Sequence, residues 1–243
     1  MKFLTLLMGL LFSAVVHTTP TYKPTVPVAT MDSSMSGVEK KVREAAVRVT
    51  VPFSGGHGSG SYIQYKDLHL VITAQHVARG TLGTSYLLSH KDESHLGILI
   101  YADPINDIAI LYVGNHFKFI KPIKFNPRSD VALPGTEIIY SGFPSDHKLM
   151  SFTGRVSGHE NGPGIGQHII LQTYGWFGCS GSSIYDHSGR LVGILYGVDV
   201  EYYPDIQVQE NMIWVVPINK LNIQKAIKPF CNGYQGKEPK ACK

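Results

Sequence analysis

The sequence predicts an all-β protein whose antiparallel strands form sandwiches or barrels. Three observations carry this reading. Short runs of Val, Ile, Leu and Tyr recur along most of the chain, each the length of a strand. Glycine-rich turns separate them. No long helical period lies between them, so the pattern is not that of alternating helices and strands. The chain has 243 residues, 43% hydrophobic and 16% charged, an ordinary globular composition. That length buries a real core without staples.

The elements follow in order. Met1 and Lys2 precede an apolar run from Phe3 to Val16, broken only by Thr5, Gly9 and Ser13. The run has the length of a signal-peptide core and falls short of a membrane span. Residues 1–19 therefore read as a signal peptide or signal anchor. The chain is then secreted or extracytoplasmic, and meets a membrane only if this segment stays uncleaved. Residues 20–37 are rich in Thr, Pro and Ser and read as an extended linker. A short amphipathic helix follows, with Ser36 as N-cap and Val38, Val42, Ala45 and Ala46 near helical spacing. Arg48 to Pro52 reads as the first strand. Further strands are HLVITA (69–74), HLGILIY (95–101), DIAILYV (107–113), TEIIYSGF (136–143), HIILQTY (168–174), RLVGILYG (190–197) and MIWVVPI (212–218). INKLNIQKAI (218–227) reads as a C-terminal helix, with a polar tail after Pro229.

The formal net charge is +4, and much of the excess sits at the two ends. No basic run with interleaved aromatics occurs, so nucleic acid is not expected as a partner. Of three cysteines, Cys231 and Cys242 lie close together in the tail. An oxidising compartment suits a Cys231–Cys242 disulfide with Cys179 free; a reduced tail with two thiols is the alternative. The eleven histidines show no metal-ligand spacing, so neither a metal nor a cofactor is expected.

Three segments carry chemistry. Val71-Ile72-Thr73-Ala74-Gln75-His76 ends a strand on a histidine. Asn106-Asp107-Ile108 puts an acid at the start of a buried strand. Gly178-Cys179-Ser180-Gly181 sets a serine among glycines. A serine hydroxyl is a poor nucleophile at neutral pH and needs a base, which in turn must be held in the right tautomer. His76 would take the proton from Ser180, and Asp107 would hold the other ring nitrogen. Gly178 lets the backbone bend so that the N–H groups of Gly178 and Ser180 can face a developing oxyanion, worth about 3 kcal/mol per donor. Gly181 would leave room for substrate and imidazole. Each segment alone is weak; a lone histidine or a strand-opening Asp is usually structural. The three in this order, each at the end of an apolar strand, point to acyl transfer.

These segments resemble those of trypsin-like serine proteases. GHGSGSYI, VITAQHV, YADPINDIAILYV, IILQTYGWFGCSGSSIYDHSGRLVGI and IWVVPI are in particular similar to the protease domain of the HtrA (Deg) family and to viral-type trypsin-like proteases. The resemblance covers about residues 38–225. It implies two six-stranded antiparallel barrels packed together, about 40–125 and 130–227, within a protease domain at 38–228 and followed by a cysteine-containing tail at 229–243. It also implies a serine endopeptidase acting on polypeptides through an acyl-enzyme. A homotrimer would fit HtrA relatives, but no residue indicates one, and homo-oligomerisation stays open. By the family's geometry, Tyr174, Gly175, Trp176, Leu195, Tyr196 and Gly197 would line the specificity pocket. No acid stands at the expected base, so a neutral or apolar substrate side chain is expected. A substrate strand would add along Leu195–Gly197.

The departures matter too. Cys179 stands where secreted relatives carry the Asp that pairs with a freed N-terminus, so zymogen activation of that kind is not expected. Ser180, not Cys179, directly precedes Gly181, which leaves Cys179 a small buried hydrophobe. The chain leaves no room for a PDZ domain, so regulation by one in the same chain is not expected. A silent binding module and a small-ester hydrolase are the alternatives on this fold; the complete set of three residues argues against the first.

Overall fold

The computed structural model describes residues 33–52, 55–162, 166–234 and 239–243. The predicted signal segment and most of the predicted linker lie outside the described residues. Met35 to Lys243 form one compact unit. Among the described residues no helix is long and apolar enough to cross a membrane.

The unit opens with helix α1 (Gly37–Ala45). Ser36 caps it: its hydroxyl accepts from Glu39 N–H at 3.2 Å, and the Glu39 carboxylate accepts from Ser36 N–H at 2.6 Å. Val42 and Ala45 face the core. Ser36→Ala is expected to cost about 1 kcal/mol by removing this cap, read as a lower urea midpoint of the full chain.

Six strands then close a ring. They are β1 (Ala46–Thr50), β2 (His57–Tyr65), β3 (Leu68–Thr73), β4 (Ser85–His90), β5 (Glu93–Asp103) and β6 (Ile108–Val113). Their spatial order is β1-β4-β5-β6-β3-β2, and β1 pairs back to β2 from Ala46↔Ser61 to Thr50↔His57. The short β7 (Ile123–Lys124) adds to β2 in parallel. A second barrel follows: β8 (Glu137–Gly142), β9 (Met150–Gly162), β10 (Gly166–Gln172), β11 (Ser183–Asp186), β12 (Leu191–Tyr202) and β13 (Ile206–Pro217), closed in the order β10-β13-β12-β11-β8-β9. Closure pairs each of the twelve barrel strands on both sides, which removes the long free edges that a strand-only protein must otherwise protect. The architecture is therefore all-β, as the strand pattern predicts, with two packed six-stranded antiparallel barrels, as the family resemblance implies, and a helix at each end.

Three apolar clusters hold it. One fills the first ring around Val47, Tyr62, Val71, Leu88 and Leu111. One fills the second around Ile138, Tyr140, Ile169, Leu171 and Val215. The third lies between the barrels and under both helices, with Leu70, Ile72, Ile108 and Ile110 from one side and Ile139, Ile194 and Val216 from the other. β3 and β6 thus bury both faces. Alternate residues serve the ring interior and the seam, which is why both strands read as continuous apolar runs.

Several boundaries differ from the sequence reading, the hairpin of β12 and β13 running to Tyr202 and back from Ile206 among them. The first strand starts at Ala46, not Arg48, because Ala46 and Val47 pack in the core. The C-terminal helix, α2, runs from Ile223 to Gly233 after a short 3-10 turn at Ile218–Lys220. Asn222 caps it by accepting from Lys225 N–H at 3.0 Å. It continues through Pro229, which a sequence reading takes as a stop. Beyond the proline, Phe230 packs on Tyr112 with ring centroids 4.7 Å apart, which anchors the last turn.

Candidate active site

The antiparallel pairing of β3 with β6 sets Thr73 opposite Ala109 and Ile72 opposite Ile110. The chain leaving β3 therefore lies beside the chain entering β6. There Gln75 N–H donates to Asp107 O at 3.1 Å. Asp107 is buried and adopts φ +50°, the left-handed region that Asp tolerates better than most residues. Its carboxylate accepts twice from one residue: Oδ1 from His76 N–H and Oδ2 from His76 Nδ1, both at 2.7 Å. An ionised carboxylate only accepts, so Nδ1 carries the proton and Nε2 presents a lone pair.

Ser180 sits in a pair of consecutive β-turns. Cys179 N–H donates to Trp176 O at 2.9 Å, with Gly178 third in the turn at φ +94°. Ser182 N–H donates to Cys179 O at 3.0 Å, with Gly181 third at φ +91°. A positive φ at the third position is the type II signature, and it demands glycine. Both glycines are also sterically fixed. A Cβ on Gly178 would clash with Phe143 O and lie 2.8 Å from His57 Nε2. A Cβ on Gly181 would clash with Ser59 O and Thr73 Oγ1 and lie 2.9 Å from Ala74 N. Gly181 therefore allows close approach of the second barrel to the first rather than leaving room for substrate. That approach brings the turn of Ser180 onto Ser59, Thr73 and Ala74, the last of these lying two residues before His76.

Ser59, on β2 and fully buried, pins this junction. Its N–H donates to Ser180 O at 2.8 Å. Its hydroxyl donates to Gly178 O at 2.7 Å and accepts from Phe143 N–H at 3.0 Å. Its carbonyl accepts from Thr73 Oγ1 at 2.7 Å. Ser59→Ala would leave the Phe143 N–H and the Gly178 carbonyl without partners. At about 1–3 kcal/mol for each unsatisfied buried group, a loss of about 2–4 kcal/mol is expected in urea unfolding. An unchanged midpoint would count against this role.

Among the described residues the Ser180 hydroxyl and His76 Nε2 make no hydrogen bond, to each other or to a third group, and the N–H groups of Gly178 and Ser180 have no acceptor. Cys179 points the other way, fully buried in the second-barrel core. Burial pushes its thiol above the ordinary cysteine range, against the lowering effect of hydrogen bonds near Trp176 and Tyr140. It stays a protonated, poorly nucleophilic group at neutral pH.

The six residues expected to line a pocket divide. Tyr174 is 38% exposed, and burial first, then the Glu210 carboxylate, raises its phenol. Gly175 lies against Ile213 and donates to Glu210 O at 2.8 Å. Trp176 is half-buried, edge-on to Phe177. Tyr196 and Gly197 are half-buried, and the β12–β13 register slips between Leu195 and Gly197. Tyr196 thereby bulges from the ladder, a common device beside active sites. Its hydroxyl bonds His168 Nδ1, and burial, followed by the nearby Asp107 carboxylate, raises its phenol well above the ordinary range. Leu195 is only 1% exposed and packs in the second-barrel core, while its carbonyl is taken by Gly181 N–H. It supplies core rather than cleft surface. The sequence reading singles out the Gly58-Ser59-Gly60 segment beside the His76 motif but assigns Ser59 no bracing role, and it gives none to His57, Phe143, Ser145 or Glu210. The one signal for Ser59 was a serine between two glycines inside an apolar strand.

The comparisons identify the family. The family model described as the trypsin-like peptidase domain matches residues 58–194, more than half of the chain, a span that holds His76, Asp107 and Ser180. Among solved structures, an inactive form of Rv3671c from M. tuberculosis H37Rv superposes with a TM-score of 0.60 at 16% identity, over 83% of this chain and 93% of that one. The HtrA-type protease AlgW, solved with a tripeptide, gives a TM-score of 0.65 at 20% identity, over 78% of this chain and 62% of AlgW. At such identities the likeness is one of fold. Among curated proteins none matches the sequence. The family match, the double barrel and the geometry at its junction together make this chain a member of the trypsin-like peptidase family, a hydrolase of the serine-peptidase class.

Proposed function

We propose that the chain is a serine endopeptidase using His76, Asp107 and Ser180 through an acyl-enzyme. The observation that carries this reading is the Asp107 carboxylate, which accepts both the backbone and the ring N–H of His76 at 2.7 Å and so leaves Nε2 free as a base. Ser180 Oγ attacks the scissile carbonyl while its proton passes to His76 Nε2. Asp107 holds the resulting imidazolium. The N–H groups of Gly178 and Ser180 receive the oxyanion. The imidazolium then protonates the departing amine and leaves an acyl-Ser180 ester. Water, deprotonated by the same nitrogen, releases the acid.

The polypeptide lies extended along the backbone at Tyr196–Gly197. Its side chain faces Tyr174, Gly175 and Trp176, walls that favour a neutral or apolar residue. The catalytic domain spans 38–228, after a signal segment at 1–19 and a linker at 20–37, and acts outside the cytoplasm. Cys231 and Cys242, with Cα atoms 5.4 Å apart, form a disulfide there. Alkylation with and without prior reduction reads that pairing.

The function is tested by incubating the full chain with a mixed peptide library and a set of small esters. Internal cleavage of peptides, with a shared preference at the cut site, is the expected result. Turnover of esters alone would make the chain an esterase. Turnover of neither would make it a binding module.

A further inference from the structure

Arg48 and His57 lie on one face of the β1–β2 pair. Arg48 is opposite Ser59, and Thr50 is opposite His57. They are thus diagonal neighbours, close enough for long side chains to meet. Arg48 Nη2 lies 2.9 Å from His57 Nδ1. A guanidinium has donors only, so Nδ1 must accept. The ring proton is then on Nε2, which donates to Phe143 O at 3.0 Å. His57 and His76 accordingly hold opposite tautomers, each fixed by a partner that can play only one part.

Phe143 is gripped at both backbone groups, its carbonyl by His57 and its N–H by Ser59 Oγ. Two residues on, Ser145 N–H donates to Phe177 O at 2.7 Å. That carbonyl belongs to the Phe177–Gly178 peptide, whose N–H is one of the two oxyanion donors. Since a peptide is planar, fixing its oxygen aims its N–H. Gly178 also packs closely against this segment: a Cβ there would strike Phe143 O and lie 2.8 Å from His57 Nε2. A route of hydrogen bonds thus runs from Arg48 through His57 and the 143–145 segment to the Gly178 N–H.

We propose that Arg48 and His57 are a positioning pair for the oxyanion donor at Gly178. His57 touches no substrate; it fixes the height of the Phe143–Ser145 segment, and Arg48 fixes the tautomer that lets it do so. This rests on the catalytic reading given above. Removing the pair loosens a donor without deleting it, so the expected effect is smaller than the 10²–10³-fold typical of losing a donor outright.

The test uses steady-state kinetics on the full chain, with active sites titrated by a fluorophosphonate. His57→Ala is expected to lower kcat per titrated site by about 10–100-fold with KM little changed, because the interaction is made only in the transition state. A peptide aldehyde, which mimics the tetrahedral state, should lose affinity by the same factor. His57→Gln, whose side-chain amide can still donate to Phe143 O, should recover most of the rate. Arg48→Met should fall between them, and carries the test if His57→Ala does not fold. Normal kcat in Arg48→Met and His57→Ala, or a His57→Gln variant as slow as His57→Ala, would overturn the inference. So would a loss confined to the number of titratable sites, which would mark a structural role only. A wild-type chain that takes no probe removes the catalytic reading, and this inference with it.

Discussion

Ser180→Ala is expected to lower kcat for peptide hydrolysis by on the order of 10⁶-fold, the scale seen when a triad nucleophile is removed from other serine proteases. The fold should survive. The Ser180 side chain makes no hydrogen bond among the described residues, while the backbone bonds that hold the turn come from Ser59, Leu195 and Cys179 and are untouched. Urea unfolding of the variant should therefore match wild type within about 0.5 kcal/mol, the range of a neutral substitution. Cys179→Ala is the matched control. It shortens a buried core side chain and lowers stability, yet it keeps the hydroxyl and both oxyanion donors, so kcat per folded molecule should be retained.

Asp107→Asn is expected to cost about 10⁴-fold in kcat. The carboxylate serves two donors of His76 at once. An asparagine has one oxygen to offer. If that oxygen keeps the backbone N–H, the amide NH₂ faces Nδ1 and pushes the ring proton to Nε2, where it blocks acceptance from Ser180. If the amide is turned round, it meets the backbone N–H instead. Asparagine tolerates the left-handed backbone at φ +50° as well as aspartate does, so the variant should fold. Rate assays beside thermal unfolding separate the two effects. A variant that is slow yet stable supports the tautomer argument, and one that is unstable in proportion to its slowness refutes it.

Much of the local architecture was legible because local chemistry decides it. Ser36 and Glu39 write a capping box into four residues. Gly178 and Gly181, three apart, are the only side-chain-free way to make two successive type II turns around a serine. Asp107 before a run of Ile, Ala and Leu marks the mouth of a strand buried on both faces. The illegible parts depend on partners far along the chain. Ser59 reaches Gly178 across 119 positions, and His57 reaches Phe143 across 86, so no window of sequence shows that these side chains brace the nucleophile's turn. Strand β9 escaped for another reason. Of its thirteen residues only Val156 is fully buried, so neither an apolar run nor clean alternation announces it. Leu195 shows the limit of transfer by motif. It stands where a cleft residue was expected, but the bulge at Tyr196 turns Leu195 into the core and leaves its neighbours to form the surface.

The proposed function requires that His76, held in place by Asp107, make Ser180 nucleophilic. The most direct measurement is to treat the folded full chain with a fluorophosphonate, digest it and locate the adduct by tandem mass spectrometry. A single phosphonylated residue at Ser180, present in Cys179→Ala and strongly reduced in Asp107→Asn, is the predicted result. An adduct on another residue, or a folded chain that takes no label at all, would contradict the account.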